Sequence, residues 1–268
     1  MTDMPRHRKV LAALTAITVL ATAGAAAQQK SDDSFHWTGT IAAGRTLRIQ
    51  DVNGSIRATG TSSKEASVSA LRRSKKSDPR SVEIRVQQDG DLTIICAVWP
   101  NQQDADGCDE RSHNDNDHGS RNDVDVEFTV SVPAGVKFEG RTVNGSVAAG
   151  GLVADAEVAS VNGDVSLATR GTGSAETVNG NVRLTMGTSS WTGDLEVKTV
   201  NGSVTVEMPT PANLDVRANT LNGDISSDFP MTIQGKMSPR SMRGTIGNGG
   251  PRLELSTVNG PIELKKAN

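Results

Sequence analysis

The tetrapeptide Thr-Val-Asn-Gly starts at Thr142, Thr177, Thr199 and Thr257, with close copies at Asp51 (DVNG), Ser160 (SVNG) and Thr220 (TLNG). A degenerate copy, SMRG, runs from Ser241 to Gly244. From Gly145 onward the closing glycines are spaced by 18, 17, 22, 21, 21 and 16 residues. Self-similarity at a period of about 20 residues marks a stacked-repeat architecture, and it constrains this chain more than any other feature.

Read as columns, the copies define a structural unit. Two residues before the glycine stand Val52, Val143, Val161, Val178, Val200, Leu221, Met242 and Val258. Two after it stand Ile56, Val147, Val165, Val182, Val204, Ile225, Ile246 and Ile262. Both columns are apolar, the second is wholly β-branched, and alternation of this kind predicts strands. Upstream of Gly202 the parity changes: Leu195 and Val197 alternate on one phase, Val200, Val204 and Val206 on the other. A flat strand cannot bury both sets, because a one-residue shift turns each side chain to the opposite face. The chain must bend near Thr199-Val200, so each repeat reads as strand, corner, strand, then a loop of variable length. The aliphatic of the motif is expected to point inward, and the glycine to sit where a side chain does not fit. Asn144, Asn162, Asn179, Asn201, Asn222 and Asn259 are then expected to form a ladder at about 4.8 Å per rung. The competing reading is a set of antiparallel hairpins turning on Asn-Gly. The facing parity around the glycine favours stacked rungs.

Between Gly54 and Gly145 the pattern differs. ASVSALRR and SVEIRVQQDGDLTIICAVW read as strands, with Asp89-Gly90 as a hairpin turn. Residues 101–123 are almost entirely polar and predict a long loop or disordered insertion. VDVEFTVSVPAGVKFEG then returns to strand pattern, turning at Pro133-Ala134-Gly135. No segment beyond the N-terminal apolar run shows helical periodicity.

That run, VLAALTAITVLATA, follows Arg6, Arg8 and Lys9 and precedes Ala25-Ala26-Ala27. This is the form of a cleaved signal peptide over residues 1–27. It is shorter than the roughly 20 residues of a spanning helix, and no later run is long enough to span. The expected organisation is a leader at 1–27, a flexible N-terminus at 28–34, and one β domain at 35–268 carrying the polar insertion at 101–123. The protein is expected to be exported, periplasmic or associated with the cell surface. In that setting a disulfide between Cys96 and Cys108, the only cysteines, is permitted. The repeats run to Leu264, so attachment to a cell is expected to need a partner.

The formal net charge of −3 and the lack of a concentrated basic footprint argue against nucleic-acid binding. The short basic run at Arg72–Lys76 reads as a solvated loop. No G-x-S-x-G elbow occurs, and two of the three histidines beyond the leader, His113 and His118, lie in the polar insertion. That insertion also holds Asp104, Asp106, Asp109, Asp115 and Asp117, candidate ligands for Ca²⁺ or Zn²⁺ together with the two histidines. Their order matches neither an EF-hand nor a zincin motif, so a solvated loop without a cofactor is the simpler reading. Asp164 and Asp224 share the outward column after the glycine, with two copies between them in sequence, or about 14 Å. Such a pair is too far apart for glycosidase chemistry. With no tyrosine, four phenylalanines and three tryptophans, a long aromatic sugar-binding face is not expected. Trp191, on the TSSWTGD loop, is the best aromatic candidate for surface contact.

VDVEFTVSVPAGV, the repeated TVNGSV units and the closing LELSTVNGPIEL resemble the bacterial putative-adhesin family of unknown function, over roughly residues 35–268. The resemblance implies an all-β, β-solenoid-like fold and an exported or envelope-associated protein, and it supplies no catalytic residues. The expectation is therefore a non-enzymatic, adhesin-like scaffold that binds an envelope or surface macromolecule, protein or glycan. A carbohydrate-active enzyme built on a β-helix, and an envelope metal or stress sensor using the 101–123 loop, are the alternatives.

Overall fold

The computed structural model describes residues 33–100, 108, 122–233 and 238–267. The expected leader, and all of the insertion from 101 to 121 except Cys108, lie outside the described residues. Asp32–Asn268 form one compact unit.

In chain order, the first seven strands are β1 (Ser34–Thr40), β2 (Thr46–Gln50), β3 (Ile56–Thr61), β4 (Glu65–Arg73), β5 (Glu83–Asp89), β6 (Leu92–Val98) and β7 (Asp125–Pro133). The repeat region supplies β8 (Lys137–Asn144), β9 (Val147–Leu152), β10 (Ala156–Asn162), β11 (Val165–Thr169), β12 (Gly173–Glu176), β13 (Val182–Met186), β14 (Leu195–Lys198) and β15 (Val204–Met208). It ends with β16 (Leu214–Asn222), β17 (Ile225–Ser227), β18 (Met231–Ile233), β19 (Ser241–Ile246), β20 (Arg252–Asn259) and β21 (Ile262–Lys266). β1 begins at Ser34, inside the segment expected to be flexible.

Two sheets face each other across one core. The first runs β1-β4-β7-β3-β9-β11-β13-β15-β21-β17, and the second β18-β19-β16-β20-β14-β12-β10-β8-β2-β6-β5. Each rung crosses from the second sheet to the first at one copy of the motif, as β8 passes into β9 through Thr142–Gly145. Within the stack, neighbours pair in parallel and in register: Val165 lies between Val147 and Val182, and Val204 between Val182 and Ile262. The inward column after the glycine is buried at Ile56, Val147, Val165, Val182, Val204 and Ile262, as its β-branched character requires. This is the expected β-solenoid-like stack of strand-corner-strand rungs.

Two features differ from the expectation. The rungs do not stack in sequence order. β20 lies between β14 and β16, and β21 between β15 and β17, so the last copy of the motif sits between the fifth and sixth. SMRG is not a corner at all. Ser241–Ile246 form the uninterrupted strand β19, antiparallel to β16, and Gly244 pairs with Val216. A rung needs parallel neighbours, whereas β18 and β19 pair antiparallel and close this end of the second sheet.

The opposite end is closed by antiparallel pairs as well: β1 with β4, β4 with β7, and β5 with β6. Here β6 and β7 flank β2 and β3 as a rung would. Cys96 on β6 is bridged to Cys108, with 5.8 Å between Cα atoms, and both are buried beside Ile94 and Val98.

Candidate functional site

The corners align into a ridge that runs along one edge of the stack. Its copies are ordered by their asparagines as 53, 144, 162, 179, 201, 259 and 222. Seven corners at about 4.8 Å per rung give a ridge roughly 29 Å long. Each of the four motif positions has a distinct task.

The hydroxyl residue points inward. Thr142, Ser160, Thr177, Thr199, Thr220 and Thr257 are buried. Each donates to the carbonyl of the glycine in the neighbouring corner: Thr142 to Gly54 (3.0 Å), Ser160 to Gly145 (2.8 Å), Thr177 to Gly163 (2.9 Å) and Thr199 to Gly180 (2.9 Å). Thr257 to Gly202 (3.0 Å) and Thr220 to Gly260 (2.9 Å) complete the series. A buried hydroxyl with a partner avoids the cost of unsatisfied burial.

The aliphatic residue points outward, which corrects the expectation that it faces the core. Val161, Val200 and Val258 are 38%, 39% and 38% exposed and Leu221 is 60% exposed, while Val143 and Val178 are half-buried; in the first corner alone, Val52 packs against the core. The chain reverses facing between the hydroxyl and the residue two after the glycine, so every residue from the valine to the outward polar position lies on the ridge.

The asparagines form the ladder. Nδ2 of Asn144 donates to Oδ1 of Asn53, and the same bond repeats from Asn162 to Asn144, Asn179 to Asn162, Asn201 to Asn179, Asn259 to Asn201 and Asn222 to Asn259, at 2.7–2.9 Å. All six bonds point the same way, so the amide dipoles add along the ridge and reinforce one another. An interior amide still has one N–H and one carbonyl lone pair to offer outward. Asn53, from the isolated first copy, extends the expected ladder by one member. Its identity with the other copies was the signal for this.

The glycine is fixed by close approach. A Cβ on Gly145, Gly163, Gly180, Gly202, Gly260 or Gly223 would stand 2.0–2.2 Å from the carbonyl oxygen of the next glycine in the stack. Backbone meets backbone here, and no side chain can yield.

Asp51 takes the hydroxyl position of the first corner. It is 6% exposed, its Oδ1 accepts from the Val52 N–H (2.8 Å), and its Oδ2 has no partner among the described residues. The adjoining carbonyl belongs to Val126, which approaches Gly54 as a glycine carbonyl does at the other corners. Burial pushes the Asp51 carboxyl well above its ordinary range; the Val52 and Asn53 amides oppose this and nearby Asp125 adds to it. Because the folded-state pKa is raised, the folded state holds the proton more tightly. Stability from this group is present at low pH and is lost as pH rises from the unfolded value, near 4, through the folded one. Asp51→Thr restores a neutral donor and is expected to stabilise the fold at pH 7 by about 1–2 kcal/mol. The gain should shrink toward pH 4. Paired melting curves of the two proteins at both pH values check this.

The other sequence candidates are dispersed. Trp191 is half-buried and packs against the core. Asp164 and Asp224 stand four rung spacings apart, about 19 Å, because the last copy inserts between them. Asp104, Asp106, Asp109, His113, Asp115, Asp117 and His118 lie outside the described residues. Among the described residues no three acidic, histidine or cysteine side chains gather as metal ligands, and no helix is long and apolar enough to cross a membrane. The ridge itself offers methyl groups and amides, and holds no nucleophile beside a base.

No curated protein matches the chain. Among solved structures, it is similar to a putative cell adhesion protein from Clostridium sporogenes, with 11% identity, 87% of this chain and 100% of that one covered, and a TM-score of 0.47. It is also similar to a putative adhesin from Bacteroides fragilis, with 12% identity, 88% and 98% covered, and a TM-score of 0.31. A family model matches residues 110–265, which hold the re-entry strand and six of the seven corners, and over this majority of its length the chain belongs to the Toastrack DUF4097 family.

Proposed function

We propose that the protein is a non-enzymatic binding scaffold of the cell envelope or surface, and that the corner ridge is its contact edge for a protein or glycan. One observation carries this reading. The motif turns its valines and leucine outward beside an unbroken amide ladder, where a purely structural corner has no need of exposed methyl groups. A line of apolar contacts next to evenly spaced donors and acceptors suits an extended, repetitive partner, the use to which stacked folds put their surfaces. The Cys96–Cys108 bridge and the leader pattern of residues 1–27 support export. The accompanying organisation is one β domain over 35–268, preceded by a short lead-in at 28–34 and interrupted at 101–123.

The test places charge on every second rung of the ridge, as Val161→Glu, Val200→Glu and Leu221→Glu together. These side chains are exposed, so the fold should survive, as an unchanged melting temperature would show. Co-sedimentation with envelope fragments of the source cells is expected to weaken at least about tenfold, as for loss of central apolar contacts. Equal sedimentation of the two proteins would remove the ridge as the contact edge.

A further inference from the structure

The outer face of the second sheet is tiled with matched charges. Arg48 pairs with Glu139 (2.6 Å), Arg141 with Glu157 (2.8 Å), Lys198 with Glu176 (3.3 Å) and Glu196 (3.4 Å), and Arg252 with Asp194 (3.2 Å). The tiling fails at β16 and β19. The antiparallel register sets Arg217 directly opposite Arg243. Like charges in this position destabilise a sheet. Neither guanidinium has an ion-pair partner among the described residues, and the buried Arg217 Nε bonds to nothing among them.

The carboxylates placed beside the pair, Glu254 and Asp215, leave this mismatch in place. Glu254 flanks Arg217 across β20, yet no ion pair joins them, and its other neighbour in register is Glu196. Asp215 accepts a hydrogen bond from the Thr245 hydroxyl (2.7 Å). Arg217, Arg243 and Arg252 line one depression of about 160 Å³, with Asp215 at its side. That volume suits a single small charged group and not an oligomer.

We propose that Arg217 and Arg243, with Arg252 beside them, form a binding site for one small oxyanionic group, a carboxylate or a phosphate. A guanidinium offers a planar fork of donors that two oxygens of such a group can bridge. The bound anion would satisfy the orphaned Arg217 donor and cancel the repulsion across the strand pair. The site lies on a sheet face and not on the corner ridge, so it stands or falls independently of the ridge as a contact edge.

The test follows the ¹H–¹⁵N signal of the Arg217 Nε–H in the full chain during titration with inorganic phosphate and, separately, with glucuronate. The signal is expected to move and saturate within tens of millimolar of at least one of them. Response to glucuronate alone assigns a carboxylate ligand, and response to phosphate alone a phosphate ligand. Arg217→Lys keeps the charge without the fork and, followed instead through the Arg243 Nε–H, should weaken binding about tenfold or more. Arg243→Ser should abolish binding, while raising the melting temperature at low salt because it relieves the repulsion. A signal that is silent in both anions, or an Arg243→Ser protein that binds as the parent does, overturns the proposal.

Discussion

Gly163→Ala is expected to destabilise the protein by ~3 kcal/mol or more, in the range reserved for steric failures at fixed backbone. The added methyl carbon would lie 2.1 Å from the Gly145 carbonyl oxygen and 2.5 Å from its carbon. Both are main-chain atoms, so the only escape is to separate two rungs. That separation would break the Ser160 hydroxyl bond to Gly145 (2.8 Å) and the Gly145 N–H bond to Asn162 (3.0 Å), and pull on the ladder between Asn144 and Asn162 (2.9 Å). Gly163 does not have a left-handed backbone, so its conformation adds no separate penalty. Gly150→Ala is the matched control: its methyl would meet nothing within 4 Å, and its backbone is likewise ordinary. That change should be neutral or stabilising by up to about 1 kcal/mol, because it restricts the unfolded chain. Urea unfolding of the two variants against the parent measures the difference, and equal midpoints would remove close approach as the reason for the glycine column.

Deleting residues 252–268 is expected to dismantle the stack from β14 onward, a larger effect than loss of an ordinary terminal repeat. In a solenoid laid down in sequence order, removing the last rung costs one interface and leaves the others closed. Here β20 and β21 are paired on both sides, with β14 and β15 on one and β16 and β17 on the other. Removal leaves two unmatched faces, and it exposes Val197, Val206, Ala218 and other side chains now fully buried. Amide exchange should show protection lost in β14–β17 together, with β8–β11 less affected. If β16 and β17 keep full protection against β14 and β15, they can pair without the last rung and the interleaved order is not required.

The columns of the motif carried the fold class. Parity around Thr199 located a bend, and the identity of the copies pointed to stacking and to an amide ladder. The same columns misled on facing. Hydropathy puts a valine inside ahead of a threonine, but a Thr hydroxyl with a carbonyl one rung away can be buried without loss. That acceptor belongs to another repeat and is invisible within a single copy. Spacing likewise reports how far apart copies lie along the chain and not which of them are neighbours. Gly244 falls in phase and is not a corner, while Asn259 stands between Asn201 and Asn222. The Arg217–Arg243 opposition depends on the register of a late antiparallel pair, which no local pattern specifies. Asp51 was legible, as the one acidic residue in a column of hydroxyls.

The interleaved C-terminal rung also sets a timetable for the protein's synthesis. A stack ordered like its sequence could assemble rung upon rung as the chain emerges. In this one, the segment at 195–208 pairs with β12 and β13 on one side but must wait for residues 252–266 to cover the other, and the segment at 214–227 waits for the same residues. Until then both edges remain open to wrong pairing, including a direct association of the two that would shut the last rung out. A chain that stays unfolded until nearly all of it is available avoids that mispairing.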